Sequence, residues 1–100
     1  MSDEQPKNPA GPPRIQLHID EPVAQGTYSN LVVINHSENE FVIDFAYLQP
    51  QNPLAKVRAR IISSPRHTKR MLIALQKNVE RYEQRYGVIE LSGEDEPTVH

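Results

Sequence analysis

Apolar and polar residues alternate over residues 14–20, with Ile15, Leu17 and Ile19 on one side and Gln16, His18 and Asp20 on the other. A period of two predicts a half-buried strand. Glu21 and Pro22 end or bulge it, and Gly26 punctuates the chain before the next run, residues 28–36. Within that run Leu31, Val32, Val33 and Ile34 are apolar in both phases, the pattern of a strand covered on both faces. Ser37, Glu38 and Asn39 form a polar tip, so a hairpin is expected. The returning strand, residues 40–48, places Phe41, Ile43, Phe45 and Tyr47 on one face and Val42, Asp44, Ala46 and Leu48 on the other. Pro50 and Pro53 mark a loop, because proline cannot donate to a ladder. Residues 56–62 alternate again, with Val57, Ala59 and Ile61 facing inward and Lys56, Arg58, Arg60 and Ile62 outward.

The period then changes. Ser64 followed by Pro65 reads as a helix start, with serine as N-cap and proline in the first turn. The helix is expected to run to Tyr86, with Gly87 just past its end. At 100° per residue, Thr68, Met71, Leu72, Leu75, Val79, Tyr82 and Tyr86 fall within an arc of about 100°. Arg66, Lys69, Arg70, Lys77, Arg81 and Arg85 fall on the opposite side, and Ile73 is the apolar exception among them. Residues 88–91 read as a short docked strand or an extended packing arm.

These elements predict an α+β two-layer unit: an antiparallel sheet of about four strands followed by one long C-terminal helix. Residues 1–13 carry four prolines and almost no large apolar residue, so they read as a disordered tail. Residues 92–100 read as a second, acidic tail, which leaves 14–91 as the single folded domain. If one sheet face takes the helix, the other carries Leu31, Val33, Ala46, Leu48 and Ile62, too apolar a set to leave in water. Either the strand phases are shifted by one or a tail covers that face, or a second subunit does, giving a homodimer or small ring. A domain this small is marginal by itself, which favours oligomerisation. The candidate interface is therefore Leu31, Val33, Leu48, Ile62 and Ile73.

Composition narrows the chemistry. The chain has 100 residues, 37% of them apolar, with no cysteine and no tryptophan. Disulfide scaffolds, thiolate zinc sites and cysteine nucleophiles are excluded. No apolar run is long enough for a transmembrane helix, and the acidic N-terminus lacks the apolar core of a signal peptide, so a cytoplasmic location is expected. The net charge of −2 conceals a strong asymmetry. Residues 54–86 hold nine basic and two acidic side chains, whereas residues 1–53 hold two basic and seven acidic, and residues 87–100 four acidic alone. Arg58, Arg60, Arg66, His67, Lys69, Arg70, Lys77 and Arg81 are thus candidate contacts for nucleic-acid phosphates or another anion, arginine being suited by its two-pronged donor geometry. The plainer alternative is a solvated face with local pairs, Lys77 or Arg81 to Glu80 and Asp44 to Arg58 or Arg60. Of the six aromatic residues only Tyr28 is free of an expected core role and available to stack on a base.

Catalytic constellations do not emerge. His36 and Glu40 flank a turn, but a metal needs three or more convergent ligands. His67, in the first helical turn, is placed to meet an anion beside free backbone N–H groups. Ser63 and Ser64 near His67 lack an orienting acid, and Ser64 is better used as a cap. The four glycines are scattered singly, so no phosphate-binding loop and no cofactor site is expected.

Asn30-Leu31, His36-Ser37, Glu40-Phe41-Val42 and Asp44-Phe45 form one block; Ala59-Arg60-Ile61, Ser64-Pro65, His67, Lys69-Arg70, Leu75 and Asn78 through Glu83 form a second. Together they resemble a bacterial family of unknown function, number 3467, over residues 28–87. The resemblance implies a small cytoplasmic protein with no assigned activity and carries over no catalytic or binding residue. By chemistry alone, Asn30 and Asn78 suit hydrogen bonds to neighbouring backbone, and Asp44 suits an arginine. The sequence therefore reads as a non-enzymatic, homo-oligomeric interaction domain acting through a protein partner, with nucleic-acid binding by the basic strand–helix segment as the alternative.

Overall fold

A computed structural model describes residues 14–92. The expected tails at 1–13 and 92–100 lie, apart from Ser92, outside the described residues. Five elements follow in order: a one-turn helix α1 (Glu21–Ala24), strands β1 (Leu31–His36), β2 (Phe41–Leu48) and β3 (Ala55–Ser63), and helix α2 (Pro65–Tyr86). The α+β class and a sheet followed by one long C-terminal helix are as the sequence predicts, but α1 is not foreseen and the sheet has three strands, in the order β1-β2-β3, all antiparallel.

The expected first strand is the missing one. Residues 14–20 join no ladder, and Ile15, Leu17 and Ile19 stay exposed. Period-two alternation supplies a face but not a partner, and a strand needs both. Pro22 then lies in the first turn of α1, where the Asp20 carbonyl accepts from the N–H groups of Val23 (3.0 Å) and Ala24 (2.9 Å). Residues 88–91 likewise form no strand.

The hairpin falls where the polar tip predicts it. Ser37 organises the turn: its N–H donates to the Glu40 carbonyl at 2.9 Å, and its hydroxyl accepts from the N–H groups of Asn39 and Glu40. In the resulting register Ile34, Ile43 and Ile61 lie side by side, and Ile43 is 2% exposed. The two faces of β2 match the predicted division. On one, Val32 and Ile34 adjoin Phe45 and Ile43; on the other, Leu31 and Val33 adjoin Ala46 and Asp44. Ile43 and Ala46 are the only buried apolar residues among those described, and Asp44 is the only buried charged one.

β3 departs from strict alternation. Phe45 pairs with Ala59 but Ala46 with Val57, so a bulge leaves Arg58 without a cross-strand partner. Val57 consequently joins the face of Arg60 and Ile62 rather than that of Ala59 and Ile61, and Lys56 pairs with Tyr47. One extra residue inverts the phase of everything before it.

One residue, Ser64, separates the end of β3 from the start of α2. Ser64 Oγ accepts from the His67 N–H at 3.1 Å, and the Ser64 carbonyl accepts from the Thr68 N–H at 2.9 Å and hydroxyl at 2.8 Å. At the other end Gly87 adopts φ 105°, a conformation that side chains disfavour, and its N–H donates to the Glu83 carbonyl at 2.9 Å. The Glu83 carboxylate then accepts from the Ile89 N–H at 3.0 Å, holding the following segment against the helix end.

With a one-residue connection, α2 has no loop with which to turn back over the sheet it has just left. Not one of its 22 residues is buried. Its apolar stripe stays open to solvent, with Leu72 at 59%, Leu75 at 60% and Tyr86 at 67% exposure. Among the described residues the helical layer is therefore not sealed against the sheet. The radius of gyration, 18.2 Å, reflects this; a compact 100-residue domain has about 13 Å.

Candidate interaction surfaces

The predicted interface residues separate into two places. Leu31, Val33, Leu48 and Ile62 share one sheet face, brought together by the pairings Leu31–Ala46, Val33–Asp44, Val42–Ile62 and Leu48–Ala55. Leu31, Val33 and Leu48 are half-buried, whereas Ile62 is exposed. Ile73 is not with them: it lies on α2, exposed, on the basic side of the helix. A long apolar strip on α2, formed by Met71, Leu72, Leu75, Val79, Tyr82 and Tyr86, is assigned to the sheet by the sequence but stays exposed among the described residues. Tyr82 and Tyr86 contact each other with ring centroids 5.0 Å apart. Together with Val79 and Ile89 they line an open depression beside the last turns of the helix.

The basic residues are not equivalent. Arg60 is taken: its Nε donates to Asp44 Oδ1 at 2.7 Å and its Nη2 to Oδ2 at 2.9 Å. This is the cross-strand pair expected of a structural arginine. The hydrogen bond to Arg60 and its charge hold the Asp44 carboxyl below the usual carboxylate range, while burial pushes the other way. Arg81 donates to Asn78 Oδ1 at 3.3 Å, and the Arg85 guanidinium sits 5.5 Å from the Tyr86 ring centre. The local pairs with Glu80 do not form. Among the described residues Arg58, Arg66, Lys69, Arg70 and Lys77 have no acidic group within ion-pair distance.

His67 offers less than its position suggests. Its backbone N–H is already used by the Ser64 hydroxyl, so one of the free donors expected at the helix start is satisfied internally. His36 does not organise its turn; its ring packs on Phe41 at 5.4 Å, and Ser37 does the turn's hydrogen bonding. Tyr28, the aromatic expected to be free, rests edge-on against Tyr47 at 5.9 Å.

Two polar side chains behave as the sequence suggests, one with a longer reach. Asn78 Nδ2 donates to the Ala74 carbonyl at 3.0 Å, one turn back. Asn30 reaches across to β2: its Nδ2 donates to the Leu48 carbonyl at 3.0 Å and its Oδ1 accepts from the Leu48 N–H at 2.8 Å. The amide thereby stands in for one more residue of β1. Ser29, which no sequence signal singles out, donates to the Ala46 carbonyl at 2.9 Å and reinforces the same end.

A three-stranded antiparallel sheet running straight into one long amphipathic helix defines a small α+β protein with open apolar surfaces. Residues 1–91 match the family described as "Protein of unknown function (DUF3467)", and the chain belongs to that family. The match extends the resemblance read over residues 28–87 to the N-terminus. No match to a curated protein or to a solved structure was found. No helix among the described residues is long and apolar enough to cross a membrane.

Proposed function

We propose that the protein is a non-enzymatic interaction domain that works as a homo-oligomer and acts through a protein partner. One observation carries the proposal: α2 is amphipathic along 22 residues and buries none of them. Helices in proteins draw most of their stability from packing an apolar face. Exposing this stripe together with Ile61 and Ile62 of the sheet forfeits roughly 25 cal/mol for every Å² left uncovered. Cover from a second chain supplies the missing burial. Analytical ultracentrifugation from low to high micromolar protein tests it. The expected result is a mass that is a multiple of 11.4 kDa, with a thermal midpoint that rises with concentration. A single-chain mass at every concentration overturns it.

Nucleic-acid binding is favoured by basic residues that have no acidic partner among the described residues, Arg58, Arg66, Lys69, Arg70 and Lys77 among them. Fluorescence anisotropy with single-stranded RNA and duplex DNA at several salt concentrations separates the two roles. Phosphate recognition requires a steep loss of affinity with salt, roughly 0.7–0.9 log units per contact per decade.

A further inference from the structure

We infer that the second copy meets the first through α2 itself, in an antiparallel helix–helix seam. The inference presupposes the self-association proposed above and names the surface that performs it. Thr68, Leu72, Leu75, Val79, Tyr82 and Tyr86 succeed one another at steps of four, three, four, three and four. This alternation is the seam of two helices packed knobs-into-holes, narrower than the stripe a helix lays on a sheet. Each of these residues is exposed or half-buried within the chain, so the seam is available.

Direction follows from what flanks and fills the seam. Lys69, Gln76 and Glu83 occupy one flank at intervals of seven. In an antiparallel pair centred near Gln76, Lys69 of each copy faces Glu83 of the other, and Gln76 faces its own equivalent. Two opposite-charge pairs form, and the helix dipoles oppose favourably. Glu83 uses one carboxylate oxygen for the Ile89 N–H, which leaves the other for lysine. Side-chain volumes agree: Tyr86 faces the small Thr68, Tyr82 faces Leu72, and Leu75 faces Val79. The open depression formed by Val79, Tyr82, Tyr86 and Ile89 then receives the N-terminal turns of the other helix. A parallel pair would stack the tyrosines at the same level and leave Lys69 without an acid.

The chain has no cysteine, so single cysteines report position cleanly. With a short bismaleimide, full-length Gln76→Cys is expected to crosslink to itself. Lys69→Cys alone is not, because its own equivalent lies about 21 Å along the axis. A mixture of Lys69→Cys and Glu83→Cys chains is expected to give the linked heterodimer. Lys69→Glu and Glu83→Lys each weaken self-association about tenfold, and the double swap restores it; circular dichroism checks that helicity is retained. A multi-chain mass without the Gln76→Cys and Lys69→Cys/Glu83→Cys links overturns the seam and leaves self-association standing. A single-chain mass at all concentrations overturns both.

Discussion

Arg60 grips both carboxylate oxygens of Asp44 across the β2–β3 ladder, at 2.7 and 2.9 Å, while Asp44 itself is only 6% exposed. The acid is the buried member and the arginine the exposed one, so the pair neutralises the sheet's single buried charge from the solvent side. A carboxylate left there alone would have to protonate or drag water into the face it shares with Ala46.

This fixes a pH dependence. The arginine lowers the Asp44 pKa in the folded protein, so its stabilising contribution is fully present above the unfolded value of about 4. It is lost as pH falls through the folded value below that. Asp44→Asn is expected to unfold more easily than the parent at pH 7, with the difference shrinking as pH falls below about 4. Thermal melts of both proteins across that range check the convergence. A gap that stays constant with pH would contradict the ion pair.

Ile43 sits between Ile34 and Ile61 and is one of two buried apolar residues among those described. Ile43→Ala is expected to cost about 2–5 kcal/mol, the usual range for a buried isoleucine. In a chain with so little interior, that loss leaves no stable fold. Chemical denaturation, compared with the exposed control Ile15→Ala, measures the contrast.

Ser64 caps α2 through its hydroxyl. Ser64→Ala removes that acceptor and is expected to lower stability by about 1 kcal/mol. Ser64→Asp keeps an acceptor and adds a favourable charge at the helix start, so it is expected to match or exceed the parent. Denaturation midpoints of the two variants, moving in opposite senses, test the cap.

Gly87 holds φ at 105° with open space around the position where a Cβ would stand. Gly87→Ala therefore meets backbone strain and no collision, expected at about 1–3 kcal/mol. If the chain relieves the strain by unwinding, the bond from the Ile89 N–H to Glu83 is released, and amide exchange at Ile89 accelerates.

Legibility tracked locality. The hairpin, the helix with its serine cap and glycine stop, and the division of β2 into two faces depend on neighbours in sequence, and all were readable. Asp44 was readable as an arginine partner, although Arg58 and Arg60 were equal candidates; the bulge, a property of two strands together, singles out Arg60. The residue 14–20 segment misled because its alternation is genuine and its partner strand is absent. The apolar side of α2 is legible from its spacing, but assigning it to the sheet takes no account of the single residue joining β3 to α2. Asn30 was seen as a backbone partner, yet its hold on Leu48 crosses eighteen positions, which no local pattern reports.

The sheet has two open borders, and they differ in kind. β3 carries Lys56, Arg58 and Arg60 along its length, whereas β1, Leu-Val-Val-Ile-Asn-His, carries no permanent charge. Like charges keep two β3 borders apart; nothing comparable separates two β1 borders. Of the two borders, β1 is therefore the one that its own side chains protect less against pairing with another chain.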